Sequence, residues 1–220
     1  MTTLEKIQRQ DWLYPHPDQL TTFFGNHDTA RFLSVPGATV TREKLAFGLL
    51  ATMRGMPQIY SGDEIAMSSG NNGDNRSDFP GGFPGDSANA FVATGRSPQQ
   101  EAMHAWVQSL LDLRAHHDAL QTGAQQNLLA DDNGYVFARI AGSPSAKDSL
   151  PAPTSSEIVL VLLNKSDASR TFHLDFTRTA LDGIGSLTPL WNTKDTVTVT
   201  QDHCDVNVGA EQLVMFAAQP

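Results

Sequence analysis

The spacing of apolar residues changes once along this chain, near residues 120–123, and that change constrains the fold more than any other feature. Before it, short apolar runs alternate with helical patterns. Residues 20–24 read as a short strand, and residues 42–54 as a helix with Leu45, Leu49 and Met53 four apart. Residues 56–60 read as a second short strand, bounded by Gly55 and by Ser61 and Gly62. Strand, helix, strand is a βαβ unit, which implies parallel strands. A stretch rich in Gly, Asn, Asp and Pro follows over 68–95, longer than a usual strand-to-helix connection and so a candidate functional loop. Then a strong helix begins. Ser97 is placed to cap it, Pro98 suits its first position, and Gln100 completes a capping box. Met103, Trp106, Val107, Leu110 and Leu111 form one apolar stripe, whose ordinary role is core packing.

After the change, residues 134–140, 157–163, 170–176, 196–200 and 212–217 are short runs rich in β-branched or aromatic residues. Turn residues separate them, among them Asp132-Asn133-Gly134 and Asp182-Gly183. This predicts an antiparallel sandwich or small barrel. A Pro/Ser/Ala-rich loop at 142–156 inside it is expected to be mobile. Two domains are therefore expected, 1–121 and 122–220, with no internal repeat.

Charge narrows the function. A net charge of -9 and no basic run interleaved with aromatics argue against nucleic acid, whose phosphates need clustered Lys and Arg. The single cysteine, Cys204, cannot close an internal disulfide, and no Cys/His spacing suggests zinc. No apolar run is long enough to span a membrane. Neither a metal nor a cofactor is expected.

The chemistry-bearing stretch is Asn26-His27-Asp28, at the end of the first short strand. In a parallel α/β barrel, side chains at the C-terminal ends of strands face the active site. A carboxylate there accepts hydrogen bonds from sugar hydroxyls, and a neutral imidazole both donates and accepts. Taken alone, however, these residues read first as no more than a turn after a strand.

A resemblance adds to this reading. Tyr14-Pro15-His16-Pro17, residues 20–24 and Asn26-His27-Asp28-Thr29-Ala30-Arg31-Phe32 resemble the fourth signature region of the α-amylase family, glycoside hydrolase family thirteen. The run from Arg54 through Met56-Pro57-Gln58-Ile59-Tyr60 to Asp63-Glu64-Ile65 looks like that family's eighth barrel strand. Asp78-Phe79-Pro80-Gly81-Gly82-Phe83-Pro84-Gly85-Asp86 resembles a loop of its cyclomaltodextrinase and neopullulanase branch, and Leu111-Asp112-Leu113-Arg114 its last barrel helix. The second half resembles its β-sandwich domain in pattern only. The implied fold is the last part of a TIM-type (β/α)8 barrel, strands seven and eight with their helices, followed by an antiparallel β-sandwich.

The resemblance also implies roles. Asp28 matches the third catalytic carboxylate, which holds hydroxyls of the reacting sugar and keeps a neighbouring general acid protonated. His27 matches a histidine on the same sugar, and Arg76 a loop arginine reaching the next one. Asn26 matches a position supporting the turn. Arg31 is either a sugar ligand or a partner for a carboxylate, the second being favoured. Asp63 and Glu64 are expected to hold loops by hydrogen bonds, with catalysis the lesser alternative. Asn72 stands where many members carry an aspartate, which puts second-sugar contacts in doubt.

A retaining glycosidase needs two carboxyl groups about 5–5.5 Å apart. The resemblance places both upstream of Asp28, outside these residues, and a whole barrel takes about 250 residues. The expectation is thus the C-terminal part of a retaining α-glucan hydrolase acting on cyclodextrins, maltooligosaccharides or pullulan. Alone it should be inactive, should require the N-terminal part of the barrel, and should self-associate through open barrel edges. The alternative is a non-catalytic carbohydrate-binding or structural β module carrying a barrel relic. Its only large aromatic candidates beyond the boundary are Tyr135 and Trp191.

Overall fold

The computed structural model describes residues 1–69, 75–142 and 157–219. Asn72 and nearly all of the loop expected at 142–156 lie outside the described residues. In chain order the elements are α1 (Thr2–Gln8), β1 (Thr21–Thr22), α2 (Val40–Thr52), β2 (Met56–Pro57), α3 (Pro98–His116) and α4 (Asp118–Gln121). They are followed by β3 (Ala124–Ala130), β4 (Gly134–Ile140), β5 (Ile158–Asn164), β6 (Arg170–Asp175), β7 (Ser186–Trp191), β8 (Val197–Thr198), β9 (His203–Val208) and β10 (Gln212–Gln219). Two compact units emerge, one comprising Met1–Leu20, Thr52–Met56 and Arg114–Pro220, the other Thr21–Ala51 and Pro57–Leu113.

The unit formed by Thr21–Ala51 and Pro57–Leu113 carries most of the βαβ pattern. Met56 N donates to Leu20 O and Gln58 N to Thr22 O, each at 2.8 Å, so the partners advance together as in a parallel pair. The regular strands are two residues each, shorter than the five-residue runs predicted, because each has a single neighbour and the backbone turns away at Gly25. A Cβ on Gly25 would sit 2.9 Å from Asp63 Oδ2, so this position takes no side chain without a shift. Helix α2 buries Phe47, Leu50 and Ala51, and Phe24 meets Phe47 edge-to-face at 4.9 Å. Leu45 is also buried, while Leu49 is only half-buried, so the apolar face is broader than the every-fourth-residue stripe.

The capping box of α3 forms as its sequence requires: Ser97 N donates to Gln100 Oε1 at 2.8 Å, and Gln100 N to Ser97 Oγ at 3.3 Å. Met103, Val107 and Leu110 are buried. Trp106 is half-buried, donates from Nε1 to Lys44 O at 3.2 Å, and lies under the Lys44 ammonium.

The other unit is dominated by antiparallel sheet. Six strands run in the order β3-β4-β5-β10-β7-β8, and β6 pairs with β9 in a second sheet. Central β5 reads as a continuous apolar run, whereas β9 alternates strictly, with Cys204, Val206 and Val208 inward. Val136, Leu160, Leu162, Val214 and Phe216 of the larger sheet share one core with Phe172, Leu174, Val206 and Val208 of the smaller. Burying each such side chain contributes about 1.5–3 kcal/mol. Cys204 is a buried thiol in this core, pushed up to about 11 by burial and by the charge of Asp205.

Three arginines are buried in the same unit, and two of them serve backbone carbonyls. Arg139 donates to Thr52 O and Gly123 O, Arg114 to Met53 O and Gly55 O, and Arg54 pairs with Asp11. Thr52 closes α2 and Met53 follows it, at the end where helical carbonyls run out of intrahelical donors. Burial lowers Arg139 to about 9 and Arg114 to about 10.

Candidate functional site

The tip of β1 turns sharply at Asn26, for a local reason. Asn26 Oδ1 accepts the backbone N–H of Asp28 at 2.8 Å, Asn26 N donates to Thr29 Oγ1 at 3.2 Å, and Thr29 N to Asn26 O at 3.4 Å. An asparagine side chain closing on the backbone two residues ahead is an Asx turn. It leaves the carboxylate of Asp28 pointing outward, 68% exposed.

Two polar side chains attend that carboxylate. Arg76 Nη2 lies 3.3 Å from Asp28 Oδ1, and Arg76 Nε donates to the carbonyl of His27 at 3.1 Å. His27 Nε2 stands 3.5 Å from Asp28 Oδ2. The two side chains are 61% and 63% exposed, so all three groups can exchange partners with a ligand. Asn26, His27, Asp28 and Arg76 thus come together.

Arg31 does not join them at the surface. It is buried, its Nη1 donates to Asp63 Oδ1 at 2.8 Å, and its guanidinium carbon lies 4.5 Å from the Tyr60 ring centroid. Burial raises the pKa of Asp63, and Arg31 opposes that shift. Glu64 accepts the N–H of Gly62 at 2.6 Å and so fixes a turn whose Gly62 has φ +100°. A Cβ there would meet Met67 Sδ at 2.4 Å.

Three further residues build this site. Tyr60 Oη donates to Asn75 O at 3.2 Å, while Asn75 Nδ2 donates to Asn26 O at 3.4 Å and to Thr29 O. Asn75 therefore ties the long loop to the turn. Glu43 is fully buried, and burial, reinforced by Asp63 and opposed by Arg31, pushes its carboxyl up to about 8. One signal was present: Glu43, Phe47 and Leu50 fall on one helical stripe, so a carboxyl sits in line with core residues.

Among the described residues no group of three or more His, Cys, Asp or Glu side chains is placed to hold a metal ion. No described helix is long and apolar enough to cross a membrane. Tyr135 is buried, with its hydroxyl bonded to Asn127 and Gln125, and Trp191 is half-buried.

The sequence model of the α-amylase catalytic domain matches residues 3–111. An amylopullulanase of Thermoanaerobacter thermohydrosulfuricus is 28% identical over 214 residues, covering 90% of this chain and 13% of that protein. A cyclomaltodextrinase of Geobacillus thermopakistaniensis is 30% identical over 161 residues, 70% of this chain and 23% of that protein. The chain thus spans less than a quarter of the length of these curated relatives. The crystal structure of an α-amylase from Geobacillus thermoleovorans, complexed with acarbose, superposes with a TM-score of 0.74 at 22% identity, covering 99% of this chain and 43% of that one. At that identity the likeness speaks for the fold.

Proposed function

Because this chain belongs to the α-amylase family, we propose that it is the C-terminal part of a retaining α-glucan hydrolase acting on cyclodextrins, maltooligosaccharides or pullulan. In this reading residues 1–121 supply barrel strands seven and eight with their helices, and residues 122–220 form a C-terminal β-sandwich domain. The observation that carries it is the turn after β1, where Asp28 stands exposed between Arg76 and His27.

The geometry suits a sugar. Asp28 offers acceptor oxygens to two adjacent hydroxyls, and the Asn26 turn fixes its direction in advance. His27 donates to the same ring, and Arg76 neutralises Asp28 until a sugar arrives, then donates to the neighbouring unit. A rigid acceptor beside the reacting carbon stabilises a distorted ring more than a relaxed one, and so favours the transition state. Its negative charge also raises the pKa of the general acid nearby. Arg31, Asp63 and Glu64 hold the backbone behind these groups.

The nucleophile and general acid come from barrel strands outside these 220 residues, so these residues alone do not turn over glucan. Maltooligosaccharide hydrolysis tests this, measured on the chain alone and after refolding with the upstream barrel segment of a relative. No turnover alone and turnover after mixing is the expected result. Turnover by the chain alone, abolished by substituting one of its own carboxylates, would overturn it.

A further inference from the structure

Two carboxyl groups and one guanidinium are buried together next to the turn that carries Asp28. Arg31 and Asp63 are 2% and 1% exposed, and their contact at 2.8 Å balances one positive charge with one negative. Among the described residues no cation is left to balance Glu43. It is wholly buried, and neither carboxyl oxygen accepts a hydrogen bond from any described residue. The charged groups that face it are Asp63 and Arg31, while Glu64 faces Asp63. One guanidinium serves one carboxylate, and a second buried carboxylate is far costlier than a carboxylic acid. Asp63 holds the hydrogen bond to Arg31, so the proton belongs on Glu43.

This cluster is connected to the turn. Asp63 Oδ2 abuts the backbone at Gly25, immediately before Asn26. Arg31 stacks on Tyr60, Tyr60 bonds Asn75, and Asn75 bonds the carbonyls of Asn26 and Thr29. We propose that Glu43 is a positioning residue that works by holding a proton. As a neutral acid it leaves Arg31 wholly to Asp63, and the Arg31–Tyr60–Asn75 chain then holds the Asn26-to-Thr29 turn, with Asp28, in its working place. Once ionised, Glu43 competes with Asp63 for the guanidinium, and the hold on the turn loosens. The importance of this for catalysis rests on the reading of Asp28 given above, but its test does not use turnover.

The test is a pH titration of the whole chain, with glutamate side-chain carboxyls labelled with carbon-13 and backbone amides with nitrogen-15. One glutamate should titrate at least two units above the ordinary value of about 4.3. The amides of Asn26, His27, Asp28 and Thr29 should move with the same midpoint. Glu43→Gln should remove both signals and leave the amides at their low-pH positions. Asp63→Asn should bring the Glu43 titration down, since Glu43 then inherits Arg31. Glutamates that all titrate in the ordinary range would overturn the proposal. So would a high-titrating Glu43 whose ionisation leaves the turn amides unmoved, since that describes a merely structural acid. Both contrary results are read on the unaltered chain, so a variant that fails to fold rescues nothing. If Asp28 proved irrelevant to hydrolysis, this titration would still stand or fall by itself.

Discussion

Asp28 and Arg31 are three residues apart, and each belongs to an arginine–aspartate pair, yet the two pairs live under opposite conditions. Arg76 and Asp28 meet at 3.3 Å with both side chains more than half exposed. Arg31 and Asp63 meet at 2.8 Å with both almost entirely buried. In water an ion pair is worth little and changes partners freely, whereas in the interior it is costly to form and costlier to break. The first pair is therefore suited to yield to a ligand, the second to hold the backbone while that happens. Identical chemistry is open to exchange in one place and locked in the other, and burial decides which.

The comparison breaks most visibly at Arg31. Arg31→Ala strands the buried Asp63 carboxylate without a cation and should cost about 3–5 kcal/mol in urea unfolding. A loss below about 1 kcal/mol would mean that water already reaches this pair. An effect of comparable size should appear in pH dependence. The pKa of Glu43 is raised from 4.5 to about 8, so between those values the unfolded chain releases a proton that the folded chain keeps. Stability from this group is complete below about pH 4.5 and falls as pH rises towards 8, by up to about 1.4 kcal/mol per pH unit. Thermal unfolding across this window should show the slope in the unaltered chain and a flatter profile in Glu43→Gln.

The partly exposed pair of Arg170 and Asp131 lies between the extremes. Arg170 binds both oxygens of Asp131, which also accepts the N–H groups of Asn133 and Gly134, and the guanidinium holds that carboxyl well below the usual carboxylate range. Because both side chains reach water, Arg170→Ala should cost only about 1 kcal/mol in the same assay, with the loss shrinking in high salt. Its depressed pKa places this contribution above the ordinary aspartate range, to be lost as pH falls through the folded value. Smallest of all, Asp28→Asn should leave unfolding unchanged within about 0.5 kcal/mol.

How far the sequence displayed this arrangement depended on what each residue must satisfy. Residues 134–140 read as a strand and form β4 over the same span, because Tyr135, Val136 and Phe137 combine aromatic and β-branched side chains. Ala124–Ala130 escaped notice because it is largely Ala, Gln and Asn, and is drawn into β3 by pairing along β4. Ser186–Trp191 carries Pro189, which argues against a strand, yet Pro189 pairs with Phe216 beside a register shift that relaxes the ladder. His203–Val208 did alternate, but its outward His203, Asp205 and Asn207 masked the pattern.

In the site, the Asn26 turn was legible because its hydrogen bonds are local. The link from Glu43 through Arg31 to Tyr60 and Asn75 was not. It joins residues spread from position 31 to position 75, and in α2 only the shared stripe of Glu43, Phe47 and Leu50 hints that this first-turn glutamate is buried.

Kinetics of a completed barrel test the role of Asp28 most directly. The chain, refolded with the upstream segment of a relative, would be compared with its Asp28→Asn and Arg76→Ala variants on maltooligosaccharides. Asp28→Asn should lower kcat at least about a hundredfold with little change in KM, as loss of an interaction made chiefly in the transition state requires. Arg76→Ala should act mainly on KM. Retention of kcat by a folded Asp28→Asn assembly would contradict the assignment and leave the exposed turn as no more than the end of a strand.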